Sequence, residues 1–147
     1  MKTDLPWWHS ESLTVEHGAL HLDGVALEPL ARTYGTPLYV YSRPTVQRRL
    51  RALQVTLSQV TDRFKLYYAM KSNRHAGVLA AARATPDVGI DTCSPREVEL
   101  ALASGFAPEE ISFNAGMLSN RDLACRAETG VKCTRDSFSA LRRYGAL

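Results

Sequence analysis

From Phe64 to the end of the chain, short apolar runs alternate with amphipathic stretches four times. That rhythm restricts the fold more than any other feature. The runs are 64–71, 88–92, 111–114 and 131–133; they read as strands because they are apolar or small, short, and bounded by charge or turn residues. The stretches between and after them place Val78, Leu79 and Ala82, then Val98, Ala101 and Leu102, then Leu123 and Ala127, then Phe138 and Leu141, at helical spacing. Ser94-Pro95-Arg96-Glu97 is a capping box with proline at the first helical position. Ser119 stands three residues before Asp122, and Asp136 is placed to cap the last helix. Strand-then-helix alternation predicts a parallel sheet with right-handed crossovers, either an open doubly wound sheet or a barrel. Neither G-x-G-x-x-G nor G-x-x-x-x-G-K-[ST] occurs, so nucleotide-binding open sheets lose support.

Residues 12–42 read as a turn-rich lead-in. Val15, Leu20, Leu22, Val25 and Leu27 alternate around Gly18 and Asp23-Gly24, a hairpin signal. Residues 28–34 suit a short helix closed by Gly35, and Pro37 opens a further strand over Leu38-Tyr39-Val40-Tyr41. Ser42 is placed to cap a helix whose stripe is Val46, Leu50, Leu53 and Leu57.

Charge and cysteine usage narrow the function classes. The net charge of +3 is small and scattered; Arg48, Arg49 and Arg51 cluster on an amphipathic helix and read as a solvated face, so no nucleic-acid partner is expected. No apolar stretch approaches the roughly 20 residues that span a bilayer, and the start, with Asp4, Pro6 and Trp7-Trp8, has no apolar signal core. No membrane partner is expected. Cys93, Cys125 and Cys133 are odd in number without CxxC spacing, which predicts reduced thiols in the cytoplasm and no metal site. Cys93 itself reads as a small buried apolar residue.

On a period of two, Tyr67, Ala69 and Lys71 share one strand face, and Phe64, Leu66, Tyr68 and Met70 share the other. Lys71 then projects from the strand's C-terminal tip, with small Ala69 beneath it leaving room for something flat. Two readings stand: a solvated charge at a strand end, or a lysine whose amine condenses with a carbonyl cofactor.

Tyr68-Ala69-Met70-Lys71-Ser72-Asn73 resembles the Tyr-Ala-x-Lys-x-Asn motif of pyridoxal-phosphate enzymes of the alanine-racemase fold type. Among them the chain is most similar to amino-acid decarboxylases such as those for diaminopimelate and ornithine. Gly35-Thr36-Pro37-Leu38-Tyr39-Val40-Tyr41-Ser42, Gly89-Ile90-Asp91-Thr92-Cys93-Ser94-Pro95-Arg96-Glu97 and Gly105-Phe106-Ala107-Pro108-Glu109-Glu110-Ile111-Ser112-Phe113 carry the resemblance in the same order, from about Leu20 onward. It implies the N-terminal part of a (β/α)8 barrel, about four βα units at 43–147, with 1–42 belonging to the family's β-domain. It also implies a site at the strands' C-terminal ends. Lys71 would hold pyridoxal phosphate as a Schiff base, with Ala69 and Asp91 beside the cofactor. Asp91 would orient the amine, although turn chemistry before a helix explains it equally. Glu97 aligns with an acidic residue of ornithine decarboxylases, but its capping box accounts for it. Asn73 and Ser94 read as polar loop residues. The substrate implied is an amino acid, diaminopimelate-like or basic. Leu118, where diaminopimelate decarboxylases commonly carry lysine, weakens the first of these.

A complete barrel takes roughly 250 residues, against 147 here. In the resembled enzymes the second half brings a ring-stacking histidine, a glycine-rich phosphate loop and an acidic residue; here no histidine follows His75 and no Gly-Gly pair occurs. The expectation is a chain that is inactive alone and unstable, self-associating through open strand edges, or incomplete: a truncated product or a fragment needing its other half. The complete family enzyme is implied to be a homodimer. Alternative readings are an amino-acid racemase on the same barrel, or a non-catalytic cofactor carrier or decoy.

Overall fold

In the computed structural model, residues 10–116, 118–127 and 129–146 are described; Trp7-Trp8, Met117 and Leu147 lie outside them. The chain groups into two compact units, one ending at Val46 and the other beginning at Gln47.

The first unit holds β1 (Leu13–Glu16), β2 (Ala19–Leu22) and β3 (Val25–Ala26), an antiparallel sheet in that order. His17-Gly18 and Asp23-Gly24 join the strands with φ of 52° and 78°, and of 46° and 77°. Two consecutive left-handed residues are what a two-residue hairpin turn needs to match the strands' twist. α1 (Leu27–Tyr34) closes at Gly35, whose φ of 80° lets its N–H donate to the Ala31 carbonyl. The predicted strand at Leu38-Tyr39-Val40-Tyr41 does not form. Apolar content suits a strand there, but a strand also needs a partner edge, and β3 is only two residues long. α2 (Arg43–Ser58) starts where expected: Ser42 Oγ accepts from the Thr45 N–H at 3.0 Å. The Ser42 and Thr45 hydroxyls both donate to Asp23 Oδ2, the second at 2.8 Å, which ties the hairpin turn to the first turn of the helix. On the predicted stripe of α2, Leu50 is buried whereas Leu53 is half exposed.

The second unit is a parallel four-stranded sheet in sequence order: β4 (Leu66–Ala69), β5 (Val88–Thr92), β6 (Ile111–Asn114) and β7 (Lys132–Thr134). Helices α3 (Ala76–Arg83), α4 (Pro95–Ala103), α5 (Asn120–Ala127) and α6 (Phe138–Gly145) follow the strands in turn. One row of each central strand is buried toward the helices: Ile90 and Thr92 of β5 with Ile111 and Phe113 of β6. Val78, Leu79, Ala81 and Ala82 of α3, Val98 and Ala101 of α4, and Leu123 of α5 are buried with them. The opposite face carries Tyr67, Ala69, Gly89, Asp91, Ser112, Asn114, Lys132 and Thr134, paired across the ladder as Ala69 with Asp91, Asp91 with Ser112, and Asn114 with Thr134. This is the polar face that a barrel would enclose. The expected core side chains of α6 are not buried: Phe138 is 83% and Leu141 54% exposed, and Ala140 is the buried residue.

Helix starts follow the sequence in two cases of three. Ser94 Oγ accepts from the Glu97 N–H at 3.2 Å at the start of α4. At α5 the box is reciprocal, with Ser119 Oγ accepting from the Asp122 N–H at 3.1 Å and Asp122 Oδ2 accepting from the Ser119 N–H at 3.0 Å. α6 is capped by Ser137 in place of the expected Asp136, because Ser137 lies three residues before the Ala140 N–H it accepts. The hydrogen bonds from Ser119 hold the Asp122 carboxyl below its ordinary range. A depressed folded-state value stabilises above the unfolded-state value and is lost as pH falls through the folded one. Acid titration below about pH 4 is therefore expected to loosen α5 in the parent and less so in Asp122→Asn, read by amide exchange of α5. Equal acid sensitivity in both would count against the cap.

Among the described residues no helix is long and apolar enough to cross a membrane.

Candidate active site

β4 stops at Ala69, and Met70–Ser72 forms a single 3₁₀ turn. Lys71 is thus not the last strand residue, and the strand's alternation does not set its direction as the sequence implied. The turn closes because the Ser72 hydroxyl donates to the Ala69 carbonyl and the Asn73 N–H donates to the Met70 carbonyl at 3.1 Å. Met70 is fully buried and anchors the turn, which leaves Lys71 exposed. Its amine makes no hydrogen bond or ion pair with the described residues. Asn73 and Ser94 behave as loop residues: Asn73 Oδ1 accepts from the His75 N–H at 2.8 Å, and Ser94 caps α4.

Asp91 is the penultimate residue of β5 and lies beside Ala69 in the ladder. Its Oδ1 accepts from Ser112 Oγ at 2.9 Å and from Asn114 Nδ2 at 3.4 Å. Sequence reasoning missed both donors. Residues 112 and 114 share a face on any strand, but only the register between β5 and β6 brings that face to Asp91.

Cys93 is exposed, not buried as expected, because β5 has ended and the residue belongs to the turn before α4. Its Sγ donates to Glu97 Oε2 at 3.2 Å, and the same oxygen accepts the Cys93 N–H at 2.9 Å. Glu97 is 3% exposed, and Arg74 Nη1 lies 4.0 Å from its Oε1. The carboxylate therefore links the turn that carries Lys71 to the turn that follows Asp91. The Glu97 hydrogen bond, with burial and the charges of Glu97 and Asp91, pushes the Cys93 thiol up, while Lys71 pulls it down. Asp91 pairs with Ala69, two residues before Lys71, so both lie at the C-terminal end of the parallel strands. An exposed thiol held protonated reacts slowly, since the thiolate is the nucleophile. Alkylation of Cys93 near neutral pH, followed by peptide mass spectrometry, is expected to run several-fold faster in Glu97→Gln than in the parent. Equal rates would show that Glu97 does not hold the thiol.

Nearer the sheet's other end, the Tyr67 ring lies across Gly89. A Cβ at Gly89 would stand 2.7 Å from that ring and 2.5 Å from the Glu110 carbonyl oxygen. A concavity of about 760 Å3 is farther down still. It is lined by α2 residues with Phe64, Lys65 and Val88, at the N-terminal ends of β4 and β5 and away from Lys71 and Asp91.

Residues 43–146 match the family model for the pyridoxal-binding domain of pyridoxal-dependent decarboxylases. A diaminopimelate decarboxylase of Methanothermobacter thermautotrophicus is 33% identical over 132 residues, covering 90% of this chain and 31% of the relative. The structure of a protein from Aquifex aeolicus superimposes with a TM-score of 0.81 at 26% identity, covering 92% of this chain and 33% of that one. Diaminopimelate decarboxylase from Helicobacter pylori, solved with L-lysine, gives a TM-score of 0.69 at 25% identity, covering 81% and 30%. The chain spans about a third of the length of the relatives it matches. The α/β architecture is accordingly a fragment of the barrel of such enzymes. With a family model matched over most of its length, the chain belongs to the pyridoxal-phosphate-dependent decarboxylases, through their pyridoxal-binding domain.

Proposed function

We propose that this chain carries the lysine-bearing part of a pyridoxal-phosphate site in an enzyme that decarboxylates diaminopimelate or a related basic amino acid. The observation that carries the reading is the exposed Lys71 amine, without a partner among the described residues, in a tight turn held by buried Met70 at the C-terminal end of β4. The residues present suit the cofactor. An amine not tied up in an ion pair can bind an aldehyde, small Ala69 leaves space beside it, and Asp91 is a half-buried acid one strand away. When bound, pyridoxal phosphate supplies an electron sink for the carbanion left by loss of carbon dioxide. Lys71 would hold the group covalently through Nζ and could move a proton at that atom. Asp91, at the end of the neighbouring strand, would orient that nitrogen.

The matched relatives are decarboxylases, which supports decarboxylation over racemisation or a purely carrying role. L-lysine in the Helicobacter pylori enzyme supports a basic amino acid as ligand. Leu118 in place of the lysine common in diaminopimelate decarboxylases keeps related basic substrates within the proposal. In the same reading 1–42 belongs to the β-domain and 43–147 to the barrel, and the complete protein is a cytoplasmic homodimer. These assignments rest on the family resemblance.

Incubating the chain with pyridoxal phosphate, reducing with borohydride and mapping peptides is expected to place the label on Lys71. Equal labelling of Lys65, Lys71 and Lys132 would overturn the assignment.

A further inference from the structure

We infer that Ser112, with Asn114 in support, is a positioning residue for Asp91, one that fixes which carboxylate oxygen faces the lysine-bound cofactor. The inference rests on the function proposed above. A carboxylate on a short side chain turns broadly about its last bond, and a carboxylate at an exposed sheet end would sample many orientations. Here two donors from the neighbouring strand converge on one oxygen. Ser112, the ladder partner of Asp91, donates from the same row at 2.9 Å, and Asn114, two residues further along β6, donates at 3.4 Å. Both bonds go to Oδ1. Oδ2 has no partner among the described residues and is left to meet a cation or a ring nitrogen.

The direction of the donors matters as much as their number. They reach Asp91 from the β6 side, whereas Lys71 follows β4 on the opposite side of β5. The held oxygen is drawn toward β6, away from the lysine turn, and Ser112 sets the carboxylate plane from that side. Ser112 is half-buried, so its bond to a charged acceptor is partly sheltered from water. Asn114 is exposed and its bond is long, so its share is the smaller.

The test loads pyridoxal phosphate onto the parent chain, Ser112→Ala, Ser112→Thr and Asn114→Ala, and follows the visible absorbance of the lysine-bound cofactor across pH. Expected are a displaced pH midpoint and about tenfold weaker cofactor binding in Ser112→Ala, the size that one hydrogen bond to a charged group gives. Recovery in Ser112→Thr and a smaller change in Asn114→Ala are also expected. A Ser112→Ala midpoint and affinity equal to the parent's, with the label still on Lys71, would overturn this inference and leave the lysine assignment standing. No label on Lys71 in the parent would overturn the lysine assignment instead. Crystal structures of the parent and Ser112→Ala chains without cofactor then decide the positioning alone. Asp91 turned from its parent orientation in the variant supports it, and an unchanged carboxylate refutes it.

Discussion

Lys71→Ala is expected to eliminate covalent capture of pyridoxal phosphate entirely, with borohydride-stable label at the peptide falling to background. Lys71→Arg should fail in the same way, although it keeps the positive charge. A guanidinium stays protonated under all ordinary conditions and offers no free electron pair, whereas an ammonium on a flexible stem can give up its proton and attack a carbonyl. The pair of variants separates two explanations: if charge alone held the cofactor phosphate, arginine would serve. The fold should be indifferent to either change. Lys71 is exposed, its amine makes no hydrogen bond with the described residues, and it sits on a turn anchored by Met70, so both variants should unfold within about 0.5 kcal/mol of the parent. Residual label at another lysine in Lys71→Ala, equal in yield to the parent's, would remove the chemical identity assigned to this chain.

Gly89→Ala should produce the largest loss of stability from a single added carbon. The new methyl would meet two obstacles of different stiffness, the Tyr67 ring at 2.7 Å and the Glu110 carbonyl oxygen at 2.5 Å. A ring on a half-buried tyrosine can swing aside. The carbonyl cannot move alone, because Glu110 closes the short 3₁₀ turn Pro108–Glu110 and leads directly into Ile111, which is fully buried and begins β6. Relief therefore means displacing the start of a core strand, at a cost of about 1–3 kcal/mol, as for other overpacked sites. In a unit of roughly a hundred residues that lowers the thermal midpoint by about 4–8 °C per kcal/mol. Adding Tyr67→Ala should restore only the part due to the ring. Denaturant midpoints of the single and double variants measure both parts, and a midpoint unchanged by Gly89→Ala would show that the backbone does not approach so closely.

How much of this was legible in the chain depended on whether a feature is local. β5 and β6 fall on 88–92 and 111–114 as expected, since each is an apolar run with sharp polar boundaries. The lysine strand is shorter than its apolar run: β4 covers only Leu66–Ala69, and the polypeptide turns at Met70 because the Ser72 hydroxyl competes for the Ala69 carbonyl. Leu38-Tyr39-Val40-Tyr41 has strand composition without a strand, and Cys93 has the composition of a core residue without burial. In both, residue type was a sound guide to preference and a poor one to environment. Ser137 displaced Asp136 as a cap because one residue of phase decides which side chain reaches a free amide.

What the amino-acid order determined by itself was the alternation of strands and helices, most helix starts, and the presence of a lysine and an acid at successive strand ends. Those are matters of spacing along the backbone, set by neighbours within a few residues. The tertiary structure alone decided that Ser112 and Asn114 grip Asp91, that Glu97 joins two turns, and that Gly89 must lack a side chain. Each joins elements far apart in sequence, and their alignment is fixed by burying Ile90, Ile111 and Phe113 against the helices. Strand pairing shifted by one residue would turn the polar row toward the core, and burial forbids that shift.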